Sequence, residues 1–371
     1  MSTGMDFSEL ANLMNINSYT KNKQGVDQSG LLFQQWMEDI GYDTRTYQRE
    51  TIGNHLLFTS AKSAGKKLLL LGHLDTVFPP MSFETFSEDD QWIYGPGACD
   101  IKGGNYVALC ALRAVKASSG SIGNIDMLLV SDEETGSDDS KLISHELAND
   151  YDYVMVFEAA GKNNELVIGR KGVGTFFIDI EGKAAHAGNH YIDGVNANLE
   201  AAHKCIQLTA LTQLEKGTTV NVGKIEGGIG ANTISPHARL IVEMRYTEVD
   251  ERDRVLDAIH SIVHSHEIEG IEATLSGGIQ RDVMQPNNEQ LVFLRELESI
   301  TGEPFLTEQR GGVSDANIFA AKGCVTLDGF GPFGDGDHTI HERASKHSFM
   351  LRVEQVTKIL SYYNQGLMTE A

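Results

Sequence analysis

Two histidines and five carboxylates stand where short apolar segments of this 371-residue chain give way to polar residues or within Gly-rich stretches. His73 and Asp75 close KLLLLGHLD, Glu133 and Glu134 close MLLVSDEE, and Glu158 follows VMVF in VMVFEAA. Asp100 lies in the Gly-rich GPGACDIKGG, and His338 follows the Gly-rich stretch after VTLDG. Imidazole and carboxylate donors without cysteine suit a pair of divalent cations with open coordination positions. Zinc fits best, with cobalt and manganese as alternatives. A carboxylate such as Asp100 can serve two ions, one oxygen to each. Carboxylates crowded together without cations would repel one another and take up protons.

His73 and Asp75 are two residues apart, so on a strand they face one side. A metal-bound imidazole gives its second N–H to a carboxylate or carbonyl, and Asp75 is the candidate partner. Glu133 and Glu134 are adjacent, so on extended backbone they point apart. One can hold an ion while the other stands off as the general base that takes a proton from an attacking water. Taken singly, each feature has a plainer reading. GHLD can be a polar strand end and EETGSDDS a solvated acidic loop. Cys99 reads as a small buried residue rather than a thiolate ligand, and His260, His264 and His266 as a solvated helix face. Convergence is what favours a site, because ligands of an open parallel α/β sheet bind beyond the carboxyl ends of its strands.

The elements that must position these residues are legible as patterns. Short apolar runs alternating with helical spacing, as in GGNYVALCALRAVKAS, predict a mainly parallel sheet covered on both faces. The texture changes near Lys171, where a β-α-β-β-α-β order predicts a compact α+β layer over residues 171–281. The expected organisation is therefore α/β: a mainly parallel two-metal catalytic domain of residues 1–170 and 282–371, interrupted by a smaller domain. A net charge of −22 repels phosphates and anionic membranes, so neither nucleic acid nor membrane is an expected partner. The four cysteines form no disulfide framework, and no basic and apolar leader or membrane-length run is present. The cytoplasm is the expected compartment.

In combination, GHLDTVFP, GPGACDIKGG, SDEETGS, VFEAA, KAAHAG, ANTISPHA, GGVSDAN and GDHTIHE follow a familiar order. It resembles that of the glutamate carboxypeptidase, acetylornithine deacetylase and succinyl-diaminopimelate desuccinylase family of two-zinc hydrolases. The resemblance spans nearly the whole chain and is closest to the glutamate carboxypeptidase (carboxypeptidase G) branch. It implies one zinc on His73 and Glu158, a second on Glu134 and His338, and Asp100 between them. Glu133 would be the base, Asp75 would orient His73, and the peptide after Asp100 would be cis. The resemblance also implies a homodimer through the inserted domain, a dimerisation and lid element whose His186 reaches the partner's site and steadies the oxyanion. Asn232, Arg245 and Arg281 would bind a substrate carboxylate, a task suited to planar guanidinium groups. His341 is an extra candidate, but His338 directly follows the Gly-rich loop and Glu342 keeps the family register.

The expected activity is that of a zinc-dependent, carboxypeptidase-like exopeptidase. It would hydrolyse small peptides or N-acyl amino acids with a free α-carboxylate, a C-terminal glutamate being the first candidate. An N-acyl-amino acid deacylase or small aminopeptidase is the alternative within the same chemistry. An inactive metal-binding scaffold is the alternative outside it.

Overall fold

A computed structural model describes residues 5–364. The chain forms two compact units. The first comprises the described residues up to Ile168, Pro286–Arg310 and those from Ser314 on; the second comprises Gly169–Gln285 and Gly311–Val313.

The first unit is built on a six-stranded sheet. Its spatial order is Asp43–Tyr47, His55–Thr59, Ile125–Val130, Leu68–His73, Tyr153–Val156 and Val325–Leu327. The last four run parallel, and only His55–Thr59 opposes the rest. Every residue of Leu68–His73 and Ile125–Val130 is buried, which is why these strands read as unbroken apolar runs. Burying a leucine side chain such as those of Leu68–Leu71 contributes about 1.5–3 kcal/mol apiece. The antiparallel entry through Asp43–Tyr47 and His55–Thr59 departs from the expected parallel pattern. Asp43–Tyr47 is a half-exposed edge strand, DTRTY, with no apolar run to mark it.

From the central strand Leu68–His73 the chain moves to Ile125–Val130 on one side, then back past it to Tyr153–Val156 on the other. The carboxyl ends of these three strands therefore flank a topological switch point, where an open α/β sheet leaves a crevice. Helix Lys102–Ser119 bridges the first two strands and packs on the C-terminal helix Lys346–Asn364. Two glycines let that helix start close to the sheet. A β-carbon at Gly103 would lie 2.1 Å from Ala98 O, and one at Gly104 1.9 Å from Phe157 O. A small antiparallel sheet, Gly334–Asp335, Arg343–Ser345, Trp92–Tyr94 and Ser87–Glu88, ties the loop before Asp100 to the one carrying His338.

The second unit is a four-stranded antiparallel sheet in the order Thr219–Gly227, His237–Tyr246, Gly172–Glu181 and Glu272–Arg281. Burial alternates along Gly172–Glu181 and His237–Tyr246, as in a sheet with one covered face. Helices Ala197–Thr209 and Val249–His264 provide the cover. Lys204, buried on the first helix, donates to the carbonyls of Ile262 and Ser265 at 2.6 Å each and pairs with Glu200. That fastens the end of the second helix to the first, because the carbonyls at a helix C-terminus lack intrahelical partners. Among the described residues no helix is long and apolar enough to cross a membrane.

Candidate metal centre

His73 ends the central strand and is 2 % exposed. Its Nε2 lies 3.2 Å from Asp100 Oδ1 and 3.7 Å from Glu158 Oε1. Its Nδ1 faces the backbone carbonyl of Asp75 at 3.0 Å, and the Asp75 carboxylate at 3.4 Å. Main chain and side chain of Asp75 thus both face the imidazole, and the carbonyl is the nearer acceptor. Asp75 Oδ2 accepts from Thr20 Oγ1 at 2.7 Å and from the Glu134 N–H at 3.3 Å. Asn105, on the first turns of the helix after Asp100, donates to the His73 carbonyl at 2.7 Å.

Across the crevice, His338 Nε2 lies 3.2 Å from Asp100 Oδ2 and 3.1 Å from Glu134 Oε2. His338 adopts a left-handed backbone conformation, with φ of 60°. Glu133 and Glu134 occupy one 3-10 turn after Ile125–Val130, and Glu133 is 9 % exposed. The turn replaces the extended backbone expected there. The peptide between Asp100 and Ile101 is cis. One donor atom each from His73, Asp100 and Glu134 falls within 4.8 Å of the others.

The electrostatics of this cluster are those of crowded, buried carboxylates. Burial works against a charged His73, yet the Asp100 and Asp75 carboxylates hold its pKa well above the usual imidazole value. Asp100 and Glu134 push His338 up to about 11. Burial, reinforced by the charge of Asp100, raises Glu134 to about 8 and lifts Glu158 well above the carboxylate range. Burial would raise Asp100 too, but the two imidazoles drive it below its ordinary value. Without cations, protons must balance the buried negative charge. Divalent ions would supply that charge directly. The donor types, their spacing and the split orientation of the Asp100 oxygens fit two such ions.

The sequence marks Glu342 only by its register. It is 1 % exposed and accepts three backbone N–H groups from the Asp100 loop: Gly97 at 3.1 Å, and Cys99 and Asp100 at 3.0 Å each. Arg310 donates to the carbonyl of Ala159, next to Glu158, at 2.9 Å. His55 Nδ1 accepts the Ser131 N–H and its Nε2 faces Asp139 at 3.0 Å, steadying the chain before Glu133. Only the spacing of Glu342, four residues after His338, could have pointed to any of these. His341 is exposed, and its backbone N–H donates to Thr339 Oγ1 at 3.2 Å.

The second unit groups the remaining candidates differently. His186 and Asn232 lie on adjoining loops: the His186 and Thr233 backbones form a bridge, and Ala187 N donates to Asn232 O at 2.9 Å. His186 is exposed, and its Nδ1 accepts the N–H groups of Gly188 and Asn189 at 3.2 Å each. Two donors on Nδ1 leave the proton of the neutral ring on Nε2. Arg245 is held by Glu243 at 2.9 Å and donates to Gly311 O at 2.9 Å. Arg281 ends the strand Glu272–Arg281 and is 5 % exposed, more deeply placed than a ready surface cation. Cys99 is buried, with its thiol pushed far up by burial and by Glu342, as expected of a packing residue. The exposed His260 and His264 rings stack on one helix face.

A mainly parallel sheet with a carboxylate and histidine cluster at its switch point suits a metal-dependent enzyme. Residues 69–362 match Peptidase family M20/M25/M40, and the chain belongs to that family. Carboxypeptidase G2 of a Pseudomonas species is 27 % identical over 344 residues, covering 89 % of this chain and 82 % of its own. A succinyl-diaminopimelate desuccinylase of Bordetella petrii is 26 % identical over 336 residues, covering 84 % and 86 %. The fold is shared with aminopeptidase PepT from Bacillus cereus, at a TM-score of 0.78 and 22 % identity, over 95 % of this chain and 96 % of that one.

Proposed function

We propose that this chain is a two-zinc exopeptidase of the carboxypeptidase type, acting on short peptides or N-acyl amino acids with a free α-carboxylate. The observation that carries the two-ion reading is Asp100, whose Oδ1 faces His73 and whose Oδ2 faces His338. His73 and Glu158 would hold one cation, Glu134 and His338 the other, and Asp100 both. Cations held there would supply Lewis-acid chemistry to the scissile carbonyl and to the attacking water. Glu133, buried on the same turn as Glu134, takes the proton from that water and hands it to the leaving amine. Asp75 keeps the His73 ring oriented. The exposed Nε2–H of His186 suits donation to the developing oxyanion, supplied across a homodimer formed through the second unit.

Asn232, beside His186, and the guanidinium groups of Arg245 and Arg281 are assigned to the substrate carboxylate. Glutamate is the first candidate for the residue released. The four free cysteines suit a reducing compartment, and we assign the enzyme to the cytoplasm. A panel of dipeptides, folyl-glutamates, N-acetyl amino acids and their C-terminal amides tests the substrate. Cleavage of free acids but not of amides is expected. Equal cleavage of the amides would remove the carboxylate from recognition, and cleavage of N-acetyl amino acids alone would make the enzyme a deacylase. The engagement of Arg245 with Glu243 favours a second reading, an aminopeptidase that recognises the free amine instead. Cleavage of tripeptide amides from the amino end would establish it.

A further inference from the structure

We infer that Glu342 is a positioning residue for the cation pair, setting through the backbone which way Asp100 presents its two oxygens. The inference rests on the two-ion reading given above. Asp100 belongs to the Gly-rich loop GPGACDIKGG. Three N–H groups of that loop converge on one buried carboxylate. Oε1 of Glu342 takes the Cys99 and Asp100 N–H groups, and Oε2 takes that of Gly97. A fourth bond, Gly95 N to Glu342 O at 3.3 Å, fixes the main chain of the same pair of segments. No other side chain is bonded to the Asp100 N–H among the described contacts.

The geometry makes Glu342 more than a generic buried acid. It lies four residues after His338, on the segment that supplies the second histidine. One short stretch therefore both contributes a ring to Asp100 Oδ2 and holds the peptide from which Asp100 projects. The Arg343–Ser345 strand that follows pairs with Trp92–Tyr94, immediately before the Gly-rich loop, so both ends of the contact are anchored. A turn at Gly336, with φ of 75°, brings the chain back toward Glu342; a β-carbon there would lie 2.7 Å from His341 O. Removing one acceptor leaves a buried N–H without a partner and frees the loop to tilt. Asp100 then no longer bisects the two histidines.

Glu342→Gln keeps the size but turns an N–H toward N–H groups. Zinc titration of the metal-free protein by calorimetry is the test, with the thermal melt of each metal-free protein as the folding control. Wild type is expected to bind two ions per chain. In the folded variant at least one of the two should bind about 10–100-fold more weakly, the usual effect of losing a partner behind a ligand. Glu342→Asp, which keeps the charge but shortens the reach, should fall between. A purely structural role would lower the melting temperature and leave the affinities alone. Two ions bound by folded Glu342→Gln with wild-type affinity would overturn the inference. Fewer than two ions in wild type would instead overturn the two-ion reading beneath it. Should the variants not fold, amide exchange in wild type decides the matter. Protection of the Gly97, Cys99 and Asp100 amides in the metal-free protein is expected, and exchange at the rate of open chain would overturn the inference.

Discussion

Asp75 accepts the backbone N–H of Glu134 at 3.3 Å, so the residue behind one histidine also holds the turn bearing Glu133 and Glu134. The same carboxylate faces His73 Nδ1 and takes the Thr20 hydroxyl. Asp75→Asn should therefore disturb both sides of the crevice at once. A fall of about 10–100-fold in kcat or zinc affinity is expected, measured by steady-state kinetics and metal titration. Unchanged values for both would dismiss the link.

Glu133 and Glu134 share a turn but are assigned separate tasks. Glu133→Gln is expected to lower kcat by about 10²–10⁴-fold, the usual worth of a general base. Bound zinc, read by elemental analysis, should stay at two per chain. Loss of an ion from this variant would make Glu133 a ligand rather than the base.

His186 presents Nε2 outward because two backbone N–H groups occupy Nδ1. His186→Ala should lower kcat by about 10²–10³-fold, the scale of one oxyanion donor, with zinc content unchanged. Mixing this variant with Glu133→Gln should restore activity if the histidine serves a partner's site. A fully active monomer would exclude that arrangement.

Proton linkage offers a test independent of substrate. In the metal-free fold Glu134 is raised from 4.5 to about 8, and His338 from 6.5 to about 11. The folded chain thus keeps protons that the unfolded chain sheds. Stability from these groups is full below their ordinary values and is lost as pH climbs through the raised ones. Asp100 shifts the opposite way and matters only below its ordinary 3.8. The metal-free melting temperature should fall as pH rises from about 4.5, where unfolded Glu134 begins to shed its proton, to about 11, where folded His338 loses its own, and zinc should release protons and bind more tightly as pH rises through that span. Calorimetry in buffers of different ionisation heat measures the release; no dependence on buffer would contradict it.

Gly104 sets the separation between helix and sheet at the crevice. A methyl group there would meet Phe157 O at 1.9 Å, with only backbone available to yield. Gly104→Ala is expected to cost about 1–3 kcal/mol, seen as a lower denaturation midpoint, and to displace Glu158, the residue after Phe157. A variant as stable as wild type would show that the helix can retreat freely.

The parts of this molecule readable in its sequence are those where composition and position coincide. KLLLLGHLD announces both a buried strand and the polar cluster at its end, because a strand covered on two faces is apolar throughout and its first polar residues mark the crevice. Cys99 and His260 read correctly for the same reason, their surroundings being plainly apolar or plainly solvated. The strand Asp43–Tyr47 was illegible because a half-exposed edge carries no apolar signature. Glu342 was illegible because its partners are backbone amides, which every sequence contains alike. His186 could be named from its motif, but not the two amides that fix its tautomer.

The order in which the cluster residues occur along the chain differs from their order in space. His73, Asp100, Glu134 and Glu158 precede the second unit, whereas His338 and Glu342 follow it. A ribosome therefore exposes four members of the crevice long before the two that complete it. Until then Asp100 has one histidine rather than two, and its loop has no carboxylate to close upon. The crevice is accordingly completed only when the last segment of the chain has been made.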